Sequence, residues 1–196
     1  MKFTRIAALA AGLALLSGCV TPVGPVEVTR FHTGEAGLLG KGGIAVEPAP
    51  GSDASSLEWQ TYRGAVIHEL QHIGYSEAPA GGGGQVALMR ITRTTQQLDG
   101  RSPVSVGVGG SAGSYGSGVG VGVGIDLSPR PKAQVDTELA VSIRERASGK
   151  VLWEGRAQFA VGSGSPLATT ALAAPKMSQA LFFDFPGNSG ETIEVK

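Results

Sequence analysis

Five consecutive residues, His68-Glu69-Leu70-Gln71-His72, have types and a spacing that could bind a metal ion and activate water. Two histidines four residues apart lie on one face of an α-helix, where both imidazoles can coordinate zinc. A glutamate beside the first histidine can take a proton from a zinc-bound water. The pattern predicts one specific chemistry, hydrolysis at a zinc site with His68 and His72 as ligands and Glu69 as the base.

The rest of the sequence does not complete such a site. A catalytic zinc needs a third protein ligand. No histidine follows His72, and one residue separates it from Gly74, whereas the metzincin continuation requires two at that point. Glu77, Asp99 and the upstream His32 remain as third ligands, none at a telling spacing. A zinc metallopeptidase is therefore the alternative hypothesis, and a non-catalytic protein without a cofactor is the first expectation.

The element that carries the histidines is a helix, predicted from about Ser56 to Ile73. Its apolar residues recur at helical spacing and form one stripe, made of Trp59, Tyr62, Val66, Leu70 and Ile73. Ser55 or Ser56 can cap the first turn, and Gly74 suits a left-handed C-terminal end. At about 100° per residue, Glu69 falls on the stripe and the histidines fall on its flank, toward solvent. A structural, buried Glu69 fits this placement as well as a base does.

Cys19 is the other residue with distinctive chemistry, and it is the only cysteine in the chain. It follows the positive charges of Lys2 and Arg5 and an apolar run from Ile6 to Leu16, which together form the parts of a signal peptide. The run is shorter than the about 20 residues of a membrane-spanning helix. The sequence Leu-Ser-Gly-Cys that ends at Cys19 resembles the lipobox of bacterial lipoproteins.

This resemblance implies that residues 1–18 are a cleaved lipoprotein signal peptide and that Cys19 is lipidated with acyl chains such as palmitate. Two or more acyl chains anchor a protein stably where one is marginal. Residues 19–25 then form a lipidated tether, and residues 26–196 form a single periplasmic domain. Val20 stands where an inner-membrane retention signal has aspartate, which favours the outer membrane of a Gram-negative envelope.

Composition excludes one large class of partners. The chain carries 16 basic and 16 acidic residues, without a basic stripe, so a nucleic-acid partner is not expected. Glycine is abundant, at 31 residues, and aromatic residues make up 6% of the chain, which favours hairpins and loops over a helical bundle.

Strand-like alternation dominates the rest of the chain. The predicted strands are Val26–Phe31, Gly43–Pro48, Gln85–Gln97, Gln134–Arg146, Val151–Val161 and Glu191–Lys196. A second, short helix is predicted to begin near Pro175 and to end before Pro186. This order predicts an α+β fold, a two-layer sandwich of a mainly antiparallel sheet with two helices packed on one face.

The segment from Val104 to Leu127 has the most unusual pattern. Valines alternate with glycines or serines in two arms around Ser114-Tyr115-Gly116, which predicts a hairpin with valines on one face and glycines on the other. A flat glycine face lets another backbone approach closely. The hairpin is expected either to dock an envelope protein or a second copy of the chain, or to complete the domain's own sheet.

The lipobox and several later segments together resemble the bacterial lipoprotein family of domain of unknown function 4136. The later segments are the helix end Ile67–Tyr75, the strand Gln85–Arg93, the glycine-rich hairpin, the turn and strand Gly149–Trp153 and the closing Ala180–Gly187. The resemblance implies a small periplasmic α+β domain on a lipid anchor, and it implies no established reaction. The expected function is a lipid-anchored envelope protein with a non-catalytic binding or structural role.

Overall fold

The computed structural model describes residues 24–34, 36–98, 104–113, 116–125 and 133–196, with backbone alone between 104 and 125. The expected signal peptide, residues 1–18, and Cys19 lie outside the described residues. The described strands are β1 Val26–His32, β2 Gly43–Pro48, β3 Ser76–Glu77, β4 Gln85–Gln97, β5 Val104–Gly113, β6 Gly116–Ile125, β7 Ala133–Glu145, β8 Val151–Gly162 and β9 Glu191–Val195. The helices are α1 Leu57–His72 and α2 Thr170–Leu181.

Seven of these strands form one mixed sheet in the order β3-β2-β4-β7-β8-β1-β9. Strand β2 runs parallel to β3 and β4, and the other neighbours are antiparallel. The parallel pair has a direct cause, because α1 lies between β2 and β4 in the chain and returns it to the end where β2 began. The fold class is therefore α+β.

The six strands predicted for the sheet are confirmed, with bounds that differ by one residue or less. Strand β3 was not predicted. It consists of Ser76 and Glu77, too short and too polar for a periodic signal, and it is fixed by long-range backbone hydrogen bonds. Ser76 N donates to Gly42 O at 2.9 Å, and Ala78 N donates to Ile44 O at 2.8 Å.

Helix α1 has the predicted extent and ends. The Ser56 side chain accepts a hydrogen bond from Trp59 N at 3.1 Å, which satisfies a free N–H of the first turn. Gly74, just beyond the helix, has a φ of +109° and accommodates the reversal of the chain. The buried side of the helix is the predicted stripe, with Trp59, Tyr62, Val66 and Leu70 buried.

The start predicted for α2 was wrong, whereas the helix does end before Pro186 as predicted. The helix begins at Thr170, and Pro175 lies inside it on the exposed side. Proline removes one backbone hydrogen bond, but burial of Ala173, Ala174 and Met177 in the core holds the first turns in place. The helix ends at Leu181, before Asp184 takes a positive φ of 53°.

One hydrophobic core joins both helices to the sheet. It includes alternate residues of β1, β4, β7 and β8 together with the buried stripes of α1 and α2. The largest fully buried side chains include Trp153 of β8, Tyr62 and Leu70 of α1, and Met177 and Leu181 of α2. Burial of this kind is the main stabilising contribution to a domain of this size.

Strands β5 and β6 form the predicted hairpin. Val106 pairs with Val123, and Val108 with Val121. The predicted turn at 114–115 and the predicted facing of the side chains lie outside what is described. The expectation that the hairpin completes the domain's own sheet is wrong for the described residues, in which β5 and β6 form a separate two-stranded sheet.

Candidate functional site

Helix α1 is held on the core by the side opposite its histidines. The Tyr62 hydroxyl, buried, donates a hydrogen bond to Met177 Sδ of α2 at 3.5 Å. Burial, and to a smaller extent the negative charge of Glu58, raises the pKa of Tyr62 to about 12, so the hydroxyl stays neutral. The helix therefore presents its other side to solvent in a fixed orientation.

The histidine motif lies on that solvent side. The His68 side chain is 76% exposed, and His72 is exposed as well, which confirms their predicted place on the flank. The Glu69 side chain is 18% exposed, and its Oε1 lies 3.3 Å from His68 Nδ1. The arrangement offers two accessible imidazoles one helical turn apart and a partly buried carboxylate that contacts one of them.

The expected third ligands are placed differently. Glu77 Oε1 accepts a hydrogen bond from Arg63 Nη2 at 3.0 Å. His32 lies in β1, with Nδ1 2.9 Å from Thr33 O and Nε2 3.1 Å from Gly187 O. Asp99 lies outside the described residues. Within the described ranges, no group of three or more His, Cys, Asp or Glu residues could hold a metal ion.

An unpredicted buried charge lies on the core face of the sheet, near the edge formed by β1 and β9. Arg30 follows Val26 and Val28 on the buried side of β1, and it is 1% exposed. Its Nη1 donates to Phe183 O, while its Nε has no hydrogen-bond partner among the described residues. A Cβ at Gly187, where φ is +75°, would overlap the guanidinium. The period-two pattern of β1 could have revealed Arg30, because it places residue 30 in register with two buried valines.

The closing segment Ala180–Gly187 packs around the same place. Trp153 stacks on Phe182 with ring centroids 5.5 Å apart and meets Phe185 at 5.2 Å. Its Nε1 donates to Pro186 O at 3.1 Å. Ring contacts and hydrogen bonds to backbone carbonyls thus hold this segment, which connects α2 to β9, against the core.

A shallow cavity of about 470 Å³ lies over the exposed face of the sheet. Two of its charged residues form an ion pair, with Arg156 Nε 3.4 Å from Glu138 Oε2. Glu154 accepts from Ser142 Oγ at 3.1 Å, and Arg144 Nε donates to the same Ser142 oxygen. Exposed pairs of this kind contribute little stability.

The hairpin is the second candidate surface, and it contains no reactive group. From Val104 to Ile125 the chain has no charged residue. Two ten-residue strands pair with each other over their whole length. Among the described residues, no helix is long and apolar enough to cross a lipid bilayer.

Comparison with known proteins identifies relatives without an assigned reaction. A family model described as a domain of unknown function (DUF4136) matches residues 44–187. An uncharacterized protein of Zymomonas mobilis is 31% identical over an alignment of 215 residues, which covers 88% of this chain and 80% of that protein.

Two solved structures show weak similarity. A PDZ domain protein from Parabacteroides distasonis has a TM-score of 0.46 and 11% identity over 94% of this chain, which spans 41% of that chain. PelC, solved as a dodecamer from Paraburkholderia phytofirmans, has a TM-score of 0.44 and 9% identity over 80% of this chain and 94% of that chain.

Proposed function

The chain belongs to the family of domain of unknown function DUF4136, and we propose that it is a lipid-anchored envelope protein with a non-catalytic binding or structural role. In this proposal residues 1–18 are cleaved, and acylated Cys19 anchors the domain to the outer membrane, facing the periplasm. The charged start, the apolar run and the Leu-Ser-Gly-Cys ending support it. The proposal includes a two-layer arrangement with both helices on one face, which the alternating burial of the strands supports.

The observation that carries the binding role is the isolation of the hairpin. A two-stranded hairpin is marginally stable by itself in water, and β5 and β6 have no neighbouring strand in the described part of the chain. No described strand pairs with either edge of the hairpin, and an unpaired strand edge offers backbone N–H and C=O groups for strand addition from another chain. The edges of the hairpin are therefore the proposed contact with an envelope protein or with a second copy.

The anchor is tested by the mass of the mature chain purified from membranes. The expected N-terminus is Cys19 carrying a diacylglyceryl group and an N-acyl chain. A mature chain that begins elsewhere, or an unmodified Cys19, would remove the basis of the proposal.

The contact is tested by deleting Val104–Leu127 and crosslinking intact cells. The deletion should abolish crosslinked species that contain the wild-type chain. Arg90→Ala, a change on the exposed face of the sheet, is the matched control and should retain them. Unchanged crosslinking after the deletion would contradict a contact through the hairpin.

A zinc peptidase remains the second candidate, because α1 does place His68 and His72 one turn apart and accessible. Zinc per chain, measured without chelators, separates the two functions. The first proposal expects no stoichiometric zinc and the same fold for the His68→Ala/His72→Ala variant. One tightly held zinc that the double variant loses, with peptide cleavage that Glu69→Gln abolishes, would favour the peptidase.

A further inference from the structure

The hairpin and the N-terminal tether leave the sheet at the same end. One row of paired residues crosses the sheet through Thr92 of β4, Glu138 of β7, Gln158 of β8 and Glu27 of β1. On one side of this row β1 has a single further residue, Val26, which the tether precedes. On that same side β4 and β7 continue to the pair Gln97 and Ala133, where the chain departs for the hairpin.

Chain length keeps this end close to the proposed anchor. The seven steps from Cys19 to Val26 span at most about 25 Å when fully extended. Each arm of the hairpin has ten residues, a length of about 34 Å. A membrane that holds Cys19 therefore lies within reach of a hairpin leaving the same end of the sheet.

The register, combined with the period-two alternation of the sequence, predicts one apolar face for the hairpin. Cross-strand partners include Val104 with Ile125, Val106 with Val123, and Val108 with Val121. Partners directly opposite share a face, and a period of two places these six residues together. This set of six is called the valine face below. Serine and glycines fill the alternate positions, Ser105, Gly107, Gly122 and Gly124.

The end of the sheet from which the hairpin departs carries charged groups, whereas the valine face carries none. The exposed face of the sheet at this end has a shallow cavity of about 480 Å³ lined with polar groups. They include Glu27, Thr92, Thr94, Asp136 and Glu138. Covering the exposed Glu27 carboxylate with valines would desolvate a charge without offering it a partner.

We infer that the valine face contacts the lipid surface of the membrane that anchors the chain. The inference rests on the proposed lipidation of Cys19. Lipid contacts the valine face, and the strand edges of the hairpin stay accessible to a protein partner. An uncharged face of β-branched residues gains free energy on leaving water. A lone hairpin lies among the headgroups, because its edge N–H and C=O groups need water there.

Single introduced cysteines can test the contact in the intact lipoprotein. Acylated Cys19 has no free thiol, so a cysteine placed elsewhere is the only site for a fluorescent label. Val106→Cys and Val121→Cys place the label on the valine face, and Gly107→Cys and Gly122→Cys on the other face. Ala147→Cys, in the exposed turn between β7 and β8, is the control at the far end of the sheet.

Each labelled protein is reconstituted in phosphatidylethanolamine/phosphatidylglycerol vesicles that contain a lipid with a spin-labelled acyl chain. We expect at least twofold quenching at residues 106 and 121, weaker quenching at 107 and 122, and none at 147. Quenching at 106 and 121 no greater than at 147 would overturn the inference. It would do so also if the emission of these labels were blue-shifted, because an apolar environment without lipid quenching would mean that protein covers the valine face. Equal quenching at all four hairpin positions would overturn the assignment to one face.

Failure of the anchor is distinguishable from failure of this inference. The mass of each variant reports acylation before reconstitution. A chain without acyl groups would contradict the proposed function, whereas an acylated chain with an unquenched valine face would contradict the lipid contact alone.

Discussion

Helix α1 and the β5–β6 hairpin differ in their contacts with the rest of the domain. Helix α1 carries the residues with reactive chemistry, yet its buried stripe fits the core and its histidines lie on a solvated flank. The hairpin carries no charged group, and no strand of the seven-stranded sheet pairs with it among the described residues. We therefore base the proposed role on the hairpin and not on the short histidine motif.

The largest expected effect tests whether α1 belongs to the core. Leu70 is 1% exposed, so Leu70→Ala should lower the free energy of unfolding by about 2–5 kcal/mol. Leu57, in the same helix and 86% exposed, is the matched control. Leu57→Ala should change the free energy of unfolding by less than about 0.5 kcal/mol. Denaturant titration measures both. Similar losses of unfolding free energy in the two variants would mean that α1 does not pack against the core through Leu70.

A smaller loss is expected in the closing segment. Gly187→Ala combines a positive φ with overlap on the Arg30 guanidinium and should destabilise by about 1–3 kcal/mol. Gly190 also has a positive φ, but its nearest neighbour is Phe31 at 3.8 Å, so Gly190→Ala should be milder. Thermal unfolding compares them, and equal shifts in Tm would argue against a tightly packed Arg30.

The contacts of Glu47 with Gly81 and Arg146 should make the stability of the domain sensitive to acid, whereas the hairpin has no charged residue. The Gly81 N–H and then the Arg146 guanidinium hold the pKa of Glu47 below its ordinary 4.5. This lowered pKa stabilises the fold above pH 4.5, and the contribution disappears as pH falls through the folded-state pKa. In Glu47→Gln, the free energy of unfolding should therefore fall by about 0.5–1 kcal/mol less than in the wild type as pH is lowered. An acid limb identical to wild type would contradict this contact.

The smallest effect is expected for the hairpin. Removing Val104–Leu127 should change the free energy of unfolding of the remaining domain by less than about 0.5 kcal/mol, because the seven-stranded sheet makes no pairing with it. The acid limb should also stay unchanged. A loss of several kcal/mol would show that the hairpin serves the domain's own core and would reverse the comparison.

Periodicity made most of the sheet and α1 predictable from the sequence, since their side chains alternate between one core and solvent. The helical angle likewise placed the histidines correctly on the flank. The start of α2 was missed because Pro175 is a strong local signal, while the packing of Ala173 and Met177 that outweighs it is long-range. Arg30 escaped notice because a charged residue in a strand is ordinarily expected to face solvent.

Hydrogen–deuterium exchange, followed in helix α1 and the hairpin of one sample, shows whether the membrane contacts the hairpin. The acylated chain in vesicles is compared with residues 20–196 in solution. We expect slower exchange for amides of 104–125 in vesicles, where contact with the membrane orders a marginal hairpin, and unchanged exchange for Leu57–His72. Hairpin amides that exchange equally fast in both states, or protection confined to the histidine helix, would contradict it.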